Sequence, residues 1–492
     1  MLRKSMILLA MLCTATELWS QEKRGTLRYQ YGAGPDSSIT LANPDGSGNV
    51  PITGDWLGKI KVALVAVRAG RLFDSNSGQL LTKQVVLVAN ERITEVGPED
   101  RVKIPPGTQV IDLSQATVLP GLVDAHTHVF PMGTSLVETT IYYRTLMALR
   151  IAQAELWGGF TTIRDMSNGG NGTADMDLRN AIERGYFPGP RMQVSGLKIA
   201  TTDSQSAWPS DLDEHLPHPV LEEGSPWEAR VAVRKMVHFG ADWIKVQGDN
   251  VNDFHFVPPT DGKGWDLLMY PTFTLEELEA ITNEAHRLGH KVACHAYGGE
   301  GLRNCLVAGV DSLEHGIVLS KEDVDMMVQK GIYLDPTIRD YATSKYPGNM
   351  RATGGKSSLM ALQAKSFPLA LSKGVKIVFG SGHPSEGLES AGTQAPEFEW
   401  LVKYGMTPAQ AIQAATTVSA EMLGWQDRIG SIERGKFADI IAVSGDPLKD
   451  ISELERVKFV MKGGAVIRND STGFVSSNPS VSATTAERAG NK

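Results

Sequence analysis

Two histidines separated by one residue, His126 and His128, follow the apolar run Thr117–Val123 in the order Val-Asp-Ala-His-Thr-His. Side chains alternate faces along a strand, so both imidazoles project to one side and can chelate one cation. Neutral imidazole is a ligand for zinc and related metals. Alone the pair is weak evidence, because two packed or surface histidines read the same way. Two further histidines strengthen it. His295 closes the run Lys291–Cys294, and His315 closes Asp311–Glu314. Their spacing admits one short helix and a return strand, which places both at the same end of neighbouring parallel strands. In a barrel that end carries the active site. Lys245 stands in Ala-Asp-Trp-Ile-Lys-Val, an otherwise apolar strand. A buried lysine is costly unless it is paired or chemically changed; the plainer reading is a lysine reaching solvent at a strand edge.

Other residues with chemical potential are weighed beside these. Tyr297 falls two residues after His295 and is expected to face the same way, as a substrate contact or a packed loop aromatic. His255, just beyond the lysine strand, is a second candidate for the pocket lining. His286 and His290 flank Gly289 at a helix end and read as solvated. His215 and His218 lie in a loop rich in proline and acidic residues. Arg164-Asp165 is expected to make an ion pair at the barrel mouth. Cys294 alternates with His295 and should point away from the site, toward a helix.

The elements that must hold these residues are strands alternating with helices between about 118 and 426. Strand candidates include Thr161–Ile163, Trp243–Val246, Val292–His295, Ser312–His315 and Ile377–Phe379. Thr274-Leu275-Glu276-Glu277 is a capping box opening a helix that ends before Gly289. Thr407-Pro408 opens another, with proline at its first position. Repeated strand–helix units imply a parallel sheet, and some 300 residues of them favour a (β/α)8 TIM barrel for 118–426. The β-rich texture at 60–117 returns at 427–470, so both chain ends are expected to build one small β-sandwich. Residues 21–59 read as a loop-rich extension with little regular structure, and 471–492 as a disordered tail.

The chain has 492 residues and a formal net charge of -8. The acidic balance excludes a broad nucleic-acid surface, which needs a basic excess. Residues 1–20 begin with Arg3 and Lys4 and continue into the apolar run Met6–Leu12. They read as a secretory signal peptide, too short for a stable membrane span, and imply export to a periplasm or outside the cell. Without that leader only Cys294 and Cys305 remain. They cannot make a disulfide framework, so the core must hold the fold.

The sequence resembles the amidohydrolase superfamily from roughly residue 60 to 470. The carriers are Leu119-Pro120-Gly121-Leu122-Val123-Asp124-Ala125-His126-Thr127-His128, the Ile244-Lys245-Val246 strand, Cys294-His295-Ala296-Tyr297-Gly298, Glu314-His315-Gly316 and Gly430–Asp439. The branch it is most similar to is imidazolonepropionase-like, with Xaa-Pro dipeptidases, related carboxypeptidases and ochratoxinase-like enzymes. The resemblance implies that His126 and His128 bind one metal ion and His295 and His315 a second. It also implies that carboxylated Lys245 bridges the two ions, zinc suiting the set best. It implies metal-dependent hydrolysis of amide or peptide C–N bonds in small peptides or N-acyl amino acids, and a homo-oligomer. Cyclic amides are the alternative substrate class.

One position departs from the pattern. The family expects an aspartate, a metal ligand and proton carrier, at the end of the eighth strand. Here the run is Val378-Phe379-Gly380-Ser381-Gly382-His383-Pro384, with Gly382 in its place. Three readings follow: His383 or Glu386 swings in as the base, the metals act with reduced activity, or the protein binds without turnover.

Overall fold

The computed structural model describes residues 64–130, 139–201, 220–257, 266–343, 355–382 and 391–470, with three short strands before them. The leader at 1–20, the tail at 471–492, and the loop holding His383 and Glu386 lie outside the described residues. His215 and His218 do too. The three early strands, Leu27–Arg28, Thr40–Ala42 and Asn49–Pro51, pair antiparallel. The stretch expected to hold little regular structure contains this small sheet. The Asn, Pro, Asp and Gly residues that suggest a loop there stand between short strands.

The central region alternates parallel strands with helices, as the spacing of apolar runs requires. Leu122–Thr127, Phe160–Asp165 and Arg191–Val194 pair in parallel. Trp243–Gln247, Lys291–Ala296, Ser312–His315 and Tyr333–Asp335 follow as consecutive parallel neighbours. Backbone bonds continue beyond the ladders. The Asp242 amide donates to Val194 O at 2.8 Å, Leu334 N to Lys376 O at 2.9 Å, and Ala125 N to Phe379 O at 2.8 Å.

The helices carry the expected end signals. Thr274 and Glu277 form a capping box on Leu275–Arg287, and Thr407 and Gln410 another on Pro408–Gln413, with proline in the first turn. Ser225 caps Pro226–Phe239, which Gly240 ends in the left-handed region. Buried Leu, Ile, Val, Ala and Phe between strands and helices form the main core.

Strands from both ends share one sheet. Its order runs Ala465–Asn469, Phe459–Lys462, Ile440–Val443, Gln109–Pro120, Leu64–Asp74, Gln79–Ala89, Arg92–Pro98. The seven strands are linked in one hydrogen-bonded order, with Ile440–Val443 pairing directly with Thr117–Pro120. That strand passes into the His-x-His strand through Gly121 alone, where an added Cβ would lie 2.1 Å from Thr161 Oγ1. Cys294 does turn away from the histidine face, and it forms a disulfide with Cys305 of the helix Gly299–Ala308. Two cysteines are too few for a framework, yet here they staple one strand to the next helix.

Candidate metal centre

The four expected histidines meet. The His126 ring lies 5.2 Å from those of His128 and His315, and the His295 ring 4.3 Å from His315. Parallel pairing causes this. Gln247 is level with His295, and Ala296 with His315, so the strand ends align. Lys245 is two residues below Gln247 on the same face, one layer deeper, and is 3% exposed.

Three of the four rings are held from behind, and His295 Nδ1 lies 2.8 Å from His315 Nε2. Nδ1 of His126 lies 2.6 Å from Glu314 Oε2. A carboxylate only accepts, so Nδ1 carries the proton and Nε2 is left as the donor atom. Nδ1 of His128 lies 3.2 Å from Ser167 O, and Nδ1 of His315 lies 2.6 Å from Thr337 Oγ1. His315, Ser167 and Thr337 all have positive φ, at 78°, 123° and 43°. Non-glycine residues hold such backbone at a cost of about 1–3 kcal/mol each, and it concentrates at functional sites.

Electrostatics keeps the rings neutral. Burial, then the charge of Lys245, lowers His126 to about 4. Burial and neighbouring rings push His128, His295 and His315 well below the ordinary imidazole range. Neutral imidazole is the form that ligates. Burial lowers the Lys245 amine to about 8, against the pull of Glu314.

The roles of several residues of the site escape a reading of the sequence. Arg164 sits beneath the rings. It does not pair with Asp165, its neighbour on the opposite strand face; it bonds Glu314 at 3.0 and 3.2 Å and Asp335 at 3.5 Å. Burial would raise Glu314, but Arg164, Lys245 and His126 outweigh it and hold the carboxyl well below its usual range. Asp335 goes the other way, raised by burial and then by the charge of Glu314. His126, Glu314 and Asp335 have ligand atoms within 4.8 Å of one another and could hold a metal as a group. The grip of Arg164 on both carboxylates favours a supporting role for them. Lys198 is a further cation whose charge lowers His128 and His295; its Nζ donates to Gln247 Oε1 at 3.1 Å. Glu314 is visible in sequence beside His315, but its part depends on residues of three other strands. No spacing rule marks Lys198.

Tyr297 packs 5.0 Å from His295 and 5.5 Å from His315, ring to ring, and is buried. His255 is exposed on the hairpin of Asp249–Val257 and Asp266–Pro271, outside the buried imidazole group. His286, expected to be solvated, is half exposed and sits 2.8 Å from Asp311. Gly382 donates its amide to His126 O at 2.7 Å, which puts position 382 at the ring cluster.

The donor set fits a metal centre. Lys245 Nζ and His295 Nε2 are buried without a hydrogen-bond partner, and such atoms carry a cost that an ion or a chemical change removes. Parallel strands alternating with helices, with the chemistry gathered at one end, define a hydrolase-like α/β architecture of the TIM-barrel type. The Amidohydrolase family matches residues 117–467, and the chain belongs to it. It is 28% identical to ochratoxinase of Aspergillus niger over 450 residues, covering 84% of this chain and 88% of that protein. It is 27% identical to imidazolonepropionase of Solibacter usitatus over 390 residues, covering 73% of this chain and 84% of that protein. A solved Xaa-Pro dipeptidase with methionine bound in its active site superposes with a TM-score of 0.71 at 32% identity, covering 82% of this chain and 100% of that one.

Proposed function

We propose that the protein is a metal-dependent hydrolase of amide and peptide C–N bonds, acting on small peptides or N-acyl amino acids. One observation carries this reading: four imidazoles and the buried, unpartnered Lys245 converge at one end of parallel strands. His126 and His128 would hold one zinc ion and His295 and His315 a second, with carboxylated Lys245 between them. Bound there, the ions supply carbonyl polarisation and a lowered water pKa.

The chain's own groups do the rest. Glu314 orients His126, and Thr337 and Ser167 orient His315 and His128. The depressed Lys245 amine spends more time neutral than a solvated lysine, and only a neutral amine adds carbon dioxide, losing one proton as the carbamate forms. Lys198, lowered by burial to about 8, still carries its proton most of the time near neutral pH and is fitted to a substrate carboxylate. That charge favours peptides and N-acyl amino acids over uncharged cyclic amides. Backbone bonds from Asp242 to Val194, Leu334 to Lys376 and Ala125 to Phe379 support a closed eight-stranded (β/α)8 barrel. The Cys294–Cys305 disulfide supports the export inferred for residues 1–20, since disulfides persist in oxidising compartments. Among the described residues no helix is long and apolar enough to cross a membrane. Gly382 favours a second reading, a relative that binds metal and ligand without turnover.

The test is zinc content and hydrolysis of a dipeptide and N-acyl amino acid panel by the purified chain and by Lys245→Ala. About two zinc ions with turnover, both lost in Lys245→Ala, is the expected result. Zinc without turnover on any substrate would leave the binding reading standing, and absence of zinc would defeat both.

A further inference from the structure

We infer that Asp340, from the first turn of the helix Ile338–Thr343 after the strand Tyr333–Asp335, supplies the carboxylate of the centre that position 382 does not; this rests on the hydrolase reading above. Gly382 sits at the cluster through its bond to His126 O. An ideal Cβ on Gly382 would lie 3.2 Å from Asp340 Cβ and 3.4 Å from its Cγ. The Asp340 side chain therefore borders the space that a side chain at 382 would enter. Gly382 has φ +66°, so a larger residue there is strained as well as crowded. The same turn reaches the rings at a second point, because Asp340 N donates to Thr337 O at 3.3 Å and Thr337 Oγ1 meets His315 Nδ1. The charge of Asp340 also acts on Tyr297, whose ring packs on His295 and His315.

Chemistry requires a group of this kind. Amide hydrolysis needs a base to take a proton from water and an acid to give one to the departing nitrogen. The four imidazoles and Lys245 are committed to holding metal in this reading. Glu314 is committed to Arg164 and His126, while Asp249 accepts the amides of Tyr297 and Gly298 through Oδ2 and turns Oδ1 toward His295 Nε2, 3.8 Å away. In the step assigned to Asp340, the water oxygen bonds to the carbonyl carbon while its proton passes to the carboxylate. The C–N bond then breaks, and that proton moves to the leaving nitrogen.

The experiment compares the full-length wild type, Asp340→Asn and Asp340→Glu. It reads zinc affinity by titrating metal-free protein, kcat and KM on the substrates the wild type cleaves, and the thermal melt as a check on folding. Asp340→Asn is expected to bind zinc about 10–100-fold more weakly. It should lose about 10²–10⁴-fold in kcat with KM little changed. Asp340→Glu should recover part of both. If Asp340→Asn does not fold, Asp340→Glu decides: changed zinc affinity supports the assignment, wild-type zinc affinity and kcat overturn it. If wild type binds zinc and Asp340→Asn matches it in affinity or in kcat, the assignment falls and the hydrolase reading survives. If wild type binds zinc without turnover, zinc affinity alone decides. If wild type binds no zinc, both fall together.

Discussion

At the residue scale, the centre depends on what stands behind each ligand. Glu314 fixes the proton of His126 on Nδ1, so Glu314→Gln replaces the charged, acceptor-only partner that sets the tautomer with a neutral amide that both accepts and donates. It also leaves Arg164 without its closest carboxylate partner. We predict that Glu314→Gln weakens zinc binding about 10–100-fold, measured by competition with a chromogenic chelator; unchanged affinity would mean the pair is only structural. At the mouth, Lys198→Met should raise KM for N-acyl amino acids and leave KM for their carboxamides unchanged. Equal KM changes for the two would remove the carboxylate from the argument. The ligands are legible in the sequence because histidines at alternate strand positions, and a lysine in an apolar strand, need no tertiary knowledge to stand out. Glu314, Arg164 and Lys198 are not, because a supporting residue is defined by the strand it faces. Gly382 is legible as a departure, but nothing in sequence brings Asp340 to it. The aspartate lies 42 positions earlier, and only the turn after a neighbouring strand carries it there.

At the element scale, the caps at Thr274 and Thr407 and the strand–helix alternation follow from local rules and are readable. The single end sheet is not, because alternation tells which face is buried and not which strands share hydrogen bonds. Packing and burial each set a prediction at this scale. Gly121 lets the end-sheet strand pass directly into the His-x-His strand beside Thr161. Gly121→Ala must displace Thr161 or the joint itself, an overpacking expected to cost about 1–3 kcal/mol in chemical denaturation. Ser in place of Thr161 should recover part of that loss. The second prediction concerns Glu397, whose buried carboxylate accepts the amides of Ile338 and Arg339 at 2.9 and 2.6 Å, ahead of Asp340 in the same turn. Burial raises it from 4.5 to about 8. The folded state thus keeps a proton that the unfolded chain releases above its own pKa. The stabilising contribution is complete below pH 4.5 and is lost as pH rises through about 8. Wild type should therefore lose stability relative to Glu397→Gln between those limits. A constant difference in denaturation midpoint across that range would sink this account.

At the scale of the whole molecule, the two chain ends and the central strands depend on one another. Ile440–Val443 lies between Phe459–Lys462 and the strand Gln109–Pro120, and so joins the last strands of the chain to the first. Arg191 begins a central strand and holds Asp439 at 2.9 and 3.2 Å, at the edge of that sheet. The guanidinium also lies 3.5 Å from the Phe437 ring centroid. A chain cut after Lys436 would leave Gln109–Pro120 with an open edge, and would expose Val118 and Leu119, which are now fully buried. An open edge beside apolar side chains is a template for aggregation. The same strand leads through Gly121 to His126, so loss of the last strands reaches the centre without touching a ligand. We predict that truncation after Lys436 abolishes both the cooperative melt and zinc binding, and that the product is recovered in aggregates. Truncation after Asp470 keeps every strand of the sheet and should melt with the full chain. A soluble, zinc-binding product from the shorter chain would show that the central strands stand alone and that the end sheet is an accessory.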